Sequence, residues 1–452
     1  MFSKNENDIK NDFMHAARDL GIQKFDMFGI LSLEESSSSK DGQPFNLNTR
    51  FKHLGVIRVW TSESHLGVVR TSDLSFEGFR EALKIASEAA QVRQQKEIIE
   101  FSPESNENLK PIEHDNLKSQ SASLQDLMEA VVEGEKSILT ASDSFLSVPY
   151  NGVGQSHVRR FYLNSEGVYK KEDKTSSWSY FYPLAQKKNK KSRQSGEYEI
   201  AKSFSLPSVI NCAKKSASKT LEHLDYKAIK TKNYKVILSS EAFLDLLDAF
   251  SNCYNAQSVL DKKSLFTEKH LDSLVASPLI SFFDDPLSKH NVHIEQFDEE
   301  GTPTRLTKII ENGTLKSFLH SSFTARKMKK NVTGNTILAS KLGISSHFLH
   351  VTRGQSPEKN YDVNALVDTV YIDDFHAMHA GVNALQGAFS LPFNGWLLNN
   401  GKRESIEGAT VAGDFLKLLN DIIFVEKEEK VTPSGVCPNI WIKNLMVTGL
   451  SS

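Results

Sequence analysis

The chain has 452 residues, with 39% hydrophobic and 24% charged side chains, the balance of an ordinary folded protein of two or three domains. Lys plus Arg number 54 against 56 Asp plus Glu, so a net charge of −2 excludes a polyanion binder that works by bulk charge, although not a local basic patch. Three cysteines, Cys212, Cys253 and Cys437, are too few for a disulfide scaffold or a Cys-rich zinc module and suit a reducing compartment.

In chain order, residues 6–20 are expected to form a short helix, and Ser36–Ser39 with Lys40-Asp41-Gly42 a loop tip. Residues 56–60 and 66–69 read as strand–turn–strand. Ser75 caps a helix whose apolar positions are Phe76, Phe79, Leu83 and Ala86. Residues 91–122, with Pro103 and Pro111, read as a polar connector. A second helix follows, with Leu124, Leu127, Met128, Val131 and Val132 on one face. Residues 157–163, 167–170 and 177–182 are strand-like, and a third helix follows Pro207.

Near residue 230 the composition shifts. Residues 234–238 form a strand, and Ser239 and Ser240 cap a helix with Phe243, Leu246, Leu247 and Phe250. Residues 275–410 are rich in Gly, Asn, Asp and Thr. A last amphipathic helix carries Phe415, Leu418, Leu419, Ile422 and Ile423, and 440–447 is a strand. The fold class is α+β, with domains at 1–230 and 231–452. The longest uncharged stretch, 375–401, is broken by His376, His379, Asn383, Gln386, Pro392 and Asn394, so no membrane span is expected. The first eight residues have no apolar core for a signal peptide, and a cytoplasmic protein is the simple expectation.

Three histidine pairs have i, i+3 spacing: His290/His293, His347/His350 and His376/His379. They could ligate metal, but on strands such residues point to opposite faces, and a structural role is the simpler reading. None of the 14 histidines is followed by Glu, which removes every His-Glu zinc helix. Asp284-Asp285-Pro286 and Asp298-Glu299-Glu300-Gly301-Thr302-Pro303 are dense in carboxylate; they could bind a cation or a peptide amino group, or simply form turns. No phosphate loop and no GxSxG elbow occurs. The basic run 187–193 follows Trp178, Tyr180, Phe181 and Tyr182, a pattern compatible with single-stranded nucleic acid, though a solvated hairpin tip is the plainer reading.

Taken in order, the C-terminal pieces resemble the TldD/PmbA family. They are the two acidic motifs, Ile309–Leu319, Thr324-Ala325-Arg326, Thr333-Gly334-Asn335, His379-Ala380-Gly381-Val382-Asn383, Gly387-Ala388-Phe389-Ser390, Gly395 and Ala409–Asp414. The resemblance implies an N-terminal α+β domain, a C-terminal β-rich barrel-like domain and pairing of subunits around a cleft. Its peptide-cleft candidates are Asp284, Asp285, Asp298, Glu300, Gly301, Thr302, Asn335, His379 and Asn383.

TldD-type members carry zinc on an HExxxH helix with a late Cys; PmbA (TldE)-type members lack it. An ungapped reading sets Leu247-Asp248 at the His-Glu position and Asn252 at the second His, leaving no Glu base there, while Cys437 stands alone. The chain thus resembles a PmbA-type subunit with no catalytic or metal residues and no cofactor of its own. Zinc is expected in a TldD-type partner of a heterodimer, with a homodimer as the other arrangement and a peptide as substrate. The rival readings are an independent metallohydrolase using the HxxH pairs and a non-enzymatic regulator of the DNA gyrase modulator type, for which nucleic-acid binding has little support.

Overall fold

A computed structural model describes residues 6–61, 65–92, 100–109, 121–338, 342–355 and 365–449. Pro111 and most of the expected connector lie outside the described residues. Strand outweighs helix, 44% against 25%, in keeping with the α+β reading.

The first sheet is antiparallel and runs in the order Leu66–Thr71, Gln43–Trp60, Lys24–Lys40, Phe145–Asn164, Tyr169–Ala185, with short Arg193–Gln194 and Glu197–Ala201 both on the last long strand. Ser36–Ser39 belong to the strand Lys24–Lys40 rather than to a loop tip. The hairpin turns at Asp41 (φ 53°) and Gly42 (φ 71°), the pair of positive dihedrals that a two-residue type I′ turn demands. The cross-strand ladder (Ser37 opposite Leu47) overrides the local turn preference of serine. Residues 169–185 likewise form one strand where the sequence suggested separate pieces.

All four N-terminal helices pack on one face of this sheet. Glu6–Asp19 and Phe76–Val92 meet it through Phe13 and Phe79 against Met27 and Phe161. Leu124–Leu139 and Leu206–Glu222 meet it through Val131 and Val209 against Val153 and Phe181. Ser123 makes a capping box with Asp126, and Ser205 caps the other helix just before Pro207, so both starts are fixed locally. The opposite face carries Phe28, Val56 and Tyr162 and closes on Phe297 and Leu338 of the second half.

The second half contains a closed ring of strands. Gly435–Gly449 pairs with Lys232–Leu238, which pairs with Thr369–Phe375, then Ala388–Asn399, then Ala409–Asp414, which returns to Gly435–Gly449. Ala388–Asn399 serves two neighbours by giving its first part to one and its second part to the other. The last helix is shorter than the sequence suggests. It spans Phe415–Asn420, its end is capped at Asp421, and Ile422 and Ile423 start the strand Ile422–Thr432. Both apolar periods fit that stretch, and pairing of Ile422 with Ile442 decides for strand.

The halves are joined by buried charge. Arg58 bonds Asp26 through Nε at 2.9 Å and through Nη2 at 2.5 Å, and reaches Glu300 of the second half through Nη1 at 2.7 Å. Tyr162 donates to the same Asp26 at 3.0 Å. Arg58 is only 1% exposed, and burial, which would strip its charge, is outweighed by the two carboxylates, so its pKa lies well above the ordinary arginine value.

Candidate functional site

The site is built on the helix Ser240–Ala249, where the family's zinc motif would stand. Ser239 fixes its start: the Oγ accepts from the amide of Ala242 at 3.0 Å, and the Ser239 amide donates to Ile372 O at 2.9 Å. Phe243, Leu246, Leu247 and Phe250 enter the barrel core. Glu241, Asp245 and Asp248, at i, i+4 and i+7, are left on the outer face.

This arrangement corrects the ungapped register. Leu247 is 0% exposed and Asn252 donates to the carbonyls of Lys263 (2.7 Å) and Ala384 (3.1 Å), so neither stands where a metal ligand would face a cleft. The helix residues that line the cleft are Ser240, Glu241 and Asp245, the spacing of the first, second and sixth positions of HExxxH, while Ala242, Phe243 and Leu244 between them are buried in the core. Glu241 is therefore a cleft residue that the sequence reading passed over. The signal was present, since the four core positions already fixed which face remained.

The first sheet supplies the facing wall. Tyr180, Tyr182 and Tyr198 line a cavity of about 560 Å³ that also exposes Glu241 and Asp245. A second cavity, of about 480 Å³, adjoins it and shares Glu197, Tyr198, Lys219 and Glu241 with the first. Lys219 sits between Asp373 (2.7 Å), Glu197 (3.2 Å) and Asp374 (3.4 Å). Burial opposes its charge, but the carboxylates hold its pKa above the ordinary lysine value. Glu241 opens onto the cleft, yet the walls remove most of its hydration and, with Asp245 adding repulsion against the pull of Lys219, push its carboxyl up to about 7. Asp245 rises to about 6 through burial and the neighbouring Asp248.

The residues singled out from sequence lie elsewhere. Asp284 accepts from the amides of His347 (2.8 Å) and Phe348 (2.9 Å) and from Asn335 Nδ2 (2.6 Å). Asp298 accepts from the amides of Glu300, Thr302 and Thr336, each at 2.9 Å, and burial with the Glu300 charge raises it to about 6. Glu300 takes Arg58 and Ser322. Thr302 Oγ1 donates to Ser102 Oγ at 2.7 Å. Gly301, at φ +74°, receives Lys170 Nζ on its carbonyl at 2.6 Å, and an added Cβ would lie 2.4 Å from the Tyr162 ring. These side chains form a buried hub between the halves. Asp285 is half-buried, and His379 and Asn383 are exposed on a separate turn. None of the nine lines either cavity of the cleft.

His293 and His347, from different pairs, line one cavity of about 380 Å³ with Glu295 and Glu299, and the other paired rings have separate surroundings. His347 bonds Glu295 (3.2 Å) and Gly334 O (2.7 Å), His350 bonds Glu429 (3.2 Å), and His376 faces Asp374 (3.4 Å). Among the described residues, no three His, Cys, Asp or Glu side chains are grouped as a metal ion needs. Cys437 is fully buried and burial pushes its thiol well up. The basic run is tied down, with Lys187 on Asp225 (2.5 Å), Lys191 on Glu407 (3.1 Å) and Arg193 on Ile406 O (3.2 Å).

Comparison with known proteins bears on this geometry. Residues 117–224 match the PmbA/TldA metallopeptidase central domain, and residues 231–449 the PmbA/TldA metallopeptidase C-terminal domain. The chain belongs to the PmbA/TldD metallopeptidase family. It is 24% identical over 331 residues to a metalloprotease PmbA homolog of Buchnera aphidicola, covering 71% of this chain and 68% of that protein. A metalloprotease of Methanocaldococcus jannaschii is 28% identical over 47% of each chain. Two solved structures share the fold of this PmbA/TldD member. A protein of Thermotoga maritima described as a modulator of a DNA gyrase superposes with a TM-score of 0.85 at 24% identity, covering 98% of this chain and 100% of that one. TldE of Thermococcus kodakarensis gives 0.84 at 20% identity with the same coverage. No helix among the described residues is long and apolar enough to cross a membrane.

Proposed function

We propose that this chain is a PmbA/TldE-type subunit, without catalytic residues of its own, of a cytoplasmic TldD-type zinc metallopeptidase complex that acts on unfolded peptides. One observation carries the reading: the helix Ser240–Ala249 presents Ser240, Glu241 and Asp245 to the cleft and no imidazole. Structural zinc and catalytic zinc take imidazole, thiolate or carboxylate ligands in tight tetrahedral groups. A hydroxyl and two carboxylates four residues apart, with no imidazole on the helix, with His290 and His376 lining the cavities but joining no group of three ligands among the described residues, and with Cys437 buried, do not fit that ion. The retained Glu241 has no metal-bound water to deprotonate, and the metal belongs to a TldD-type partner.

What this chain contributes is a wall. The strand Glu197–Ala201 borders the cleft; Tyr169–Ala185 pairs with it on one side, and Ser216 and Cys212 of the helix Leu206–Glu222 take the amide and carbonyl of Glu197, so this wall meets a peptide through its side chains. The test is peptide hydrolysis by the chain alone, by a TldD-type subunit alone and by the mixture. The expected outcome is activity that requires mixing; equal activity of this chain alone and of the mixture would overturn the proposal.

A further inference from the structure

The Ser240 side chain is 2% exposed, lines the cavity of about 480 Å³, and its Oγ has no hydrogen-bond partner. A buried hydroxyl without a partner costs roughly 1–3 kcal/mol unless something completes it. Glu241 and Asp245 beside it form no ion pair or hydrogen bond with any described residue. The lining of the two cavities carries the carboxylates Glu197, Glu199, Glu241, Asp245, Asp373 and Asp374 against the ammonium groups of Lys215, Lys219 and Lys430. Lys219 is held by three of those carboxylates and Lys215 by Glu199; Lys219 pulls on Glu241 only at longer range, and among the described residues neither Glu241 nor Asp245 has a cation at ion-pair distance. Opposite them stand the rings of Tyr180, Tyr182 and Tyr198, whose faces attract a cation.

We infer that this cleft binds a basic peptide, with a Lys or Arg side chain seated between Ser240, Glu241, Asp245 and the tyrosine wall. A peptide cation fits better than a bound metal ion. The donors are spread along a long cleft with aromatic faces, and a Lys or Arg stem packs on those faces while its head meets the carboxylates. The inference rests on the peptide-handling reading above, and names the class of peptide.

The experiment uses the full chain alone and fluorescein-labelled peptides of alternating Lys and Thr, with alternating Glu and Thr as the counterpart, followed by anisotropy. The Lys peptide is expected to bind and the Glu peptide not to. The paired Glu241→Gln and Asp245→Asn substitutions, isosteric and on the cleft face, are expected to weaken binding at least about tenfold. Equal binding of the two peptides, no binding of either, or no effect of the paired substitutions overturns the inference. So does displacement of the Lys peptide by stoichiometric Mg²⁺ or Ca²⁺, which would make the site a metal site. No second subunit is needed, so a negative result here leaves the mixing assay standing, and the converse also holds.

Discussion

His347 illustrates how a residue picked out for one chemistry serves another. The i, i+3 spacing drew attention to it as a ligand, but its ring is bonded to Glu295 and to Gly334 O. Burial alone would lower its pKa; the Glu295 hydrogen bond and the charges of Asp284 and Glu295 outweigh that and raise it to about 9. A group whose folded pKa is raised stabilises fully below its unfolded value, about 6.5, and loses that contribution as pH climbs through the folded value. Thermal denaturation of the wild type and of His347→Gln is therefore expected to differ most at and below pH 6.5, with the gap closing as pH passes 9. A gap that widens with pH would show that the ring is held neutral. Spacing made His347 visible in the sequence; the carboxylate that defines it comes from 52 positions away and was not visible.

At the scale of the element, the helix Ser240–Ala249 was legible in kind and in its start, because Ser239 and Ser240 precede an apolar stripe; its end was not, since the sequence reading ran on to Asn255 where the structure breaks at Phe250. The assignment of its faces to chemistry was not, because an ungapped comparison fixes position in the chain and takes no account of orientation. Orientation follows from Phe243, Leu246, Leu247 and Phe250 being in the barrel core, which leaves Glu241 and Asp245 to the cleft. Substitution tests this directly. Leu247→Ala is expected to cost about 2–5 kcal/mol by opening a hole in the core, and Asp248→Ala, on the exposed side, to stay within about 0.5 kcal/mol. Urea unfolding of both variants gives the comparison, and equal losses would mean the helix is turned differently. The same reasoning accounts for the last helix: the apolar pattern of 415–423 fits helix and strand alike, and strand pairing partners decide.

Across the whole molecule, the acidic motifs of the second half act as fasteners to the first. Glu300 receives Arg58, Gly301 receives Lys170 and Thr302 donates to Ser102, all of which come from the N-terminal half. The two walls of the cleft belong to different halves, the tyrosines to one and Glu241 to the other, so the hub holds the cleft width. Removing one partner of a buried ion pair leaves the others uncompensated. Arg58→Ala, which strands Asp26 and Glu300, is expected to cost about 3–5 kcal/mol, read as a lowered urea midpoint. A loss below about 1 kcal/mol would mean that water reaches these groups.

The sequence by itself determined most helix starts, the family and the absence of any His-Glu pair, because caps, apolar periods and motif order are local properties of the chain, whereas strand extents waited on their pairing partners. It did not determine which carboxylates are buried and which face solvent. Asp298 and Glu300 look as available on paper as Glu241 and Asp245, and only the packing of one half on the other separates them. Burial, hydrogen bonding and charge pairing are properties of groups brought together from distant positions. For that reason the cleft, formed by a strand near residue 200 and a helix near residue 245, existed only in the tertiary structure.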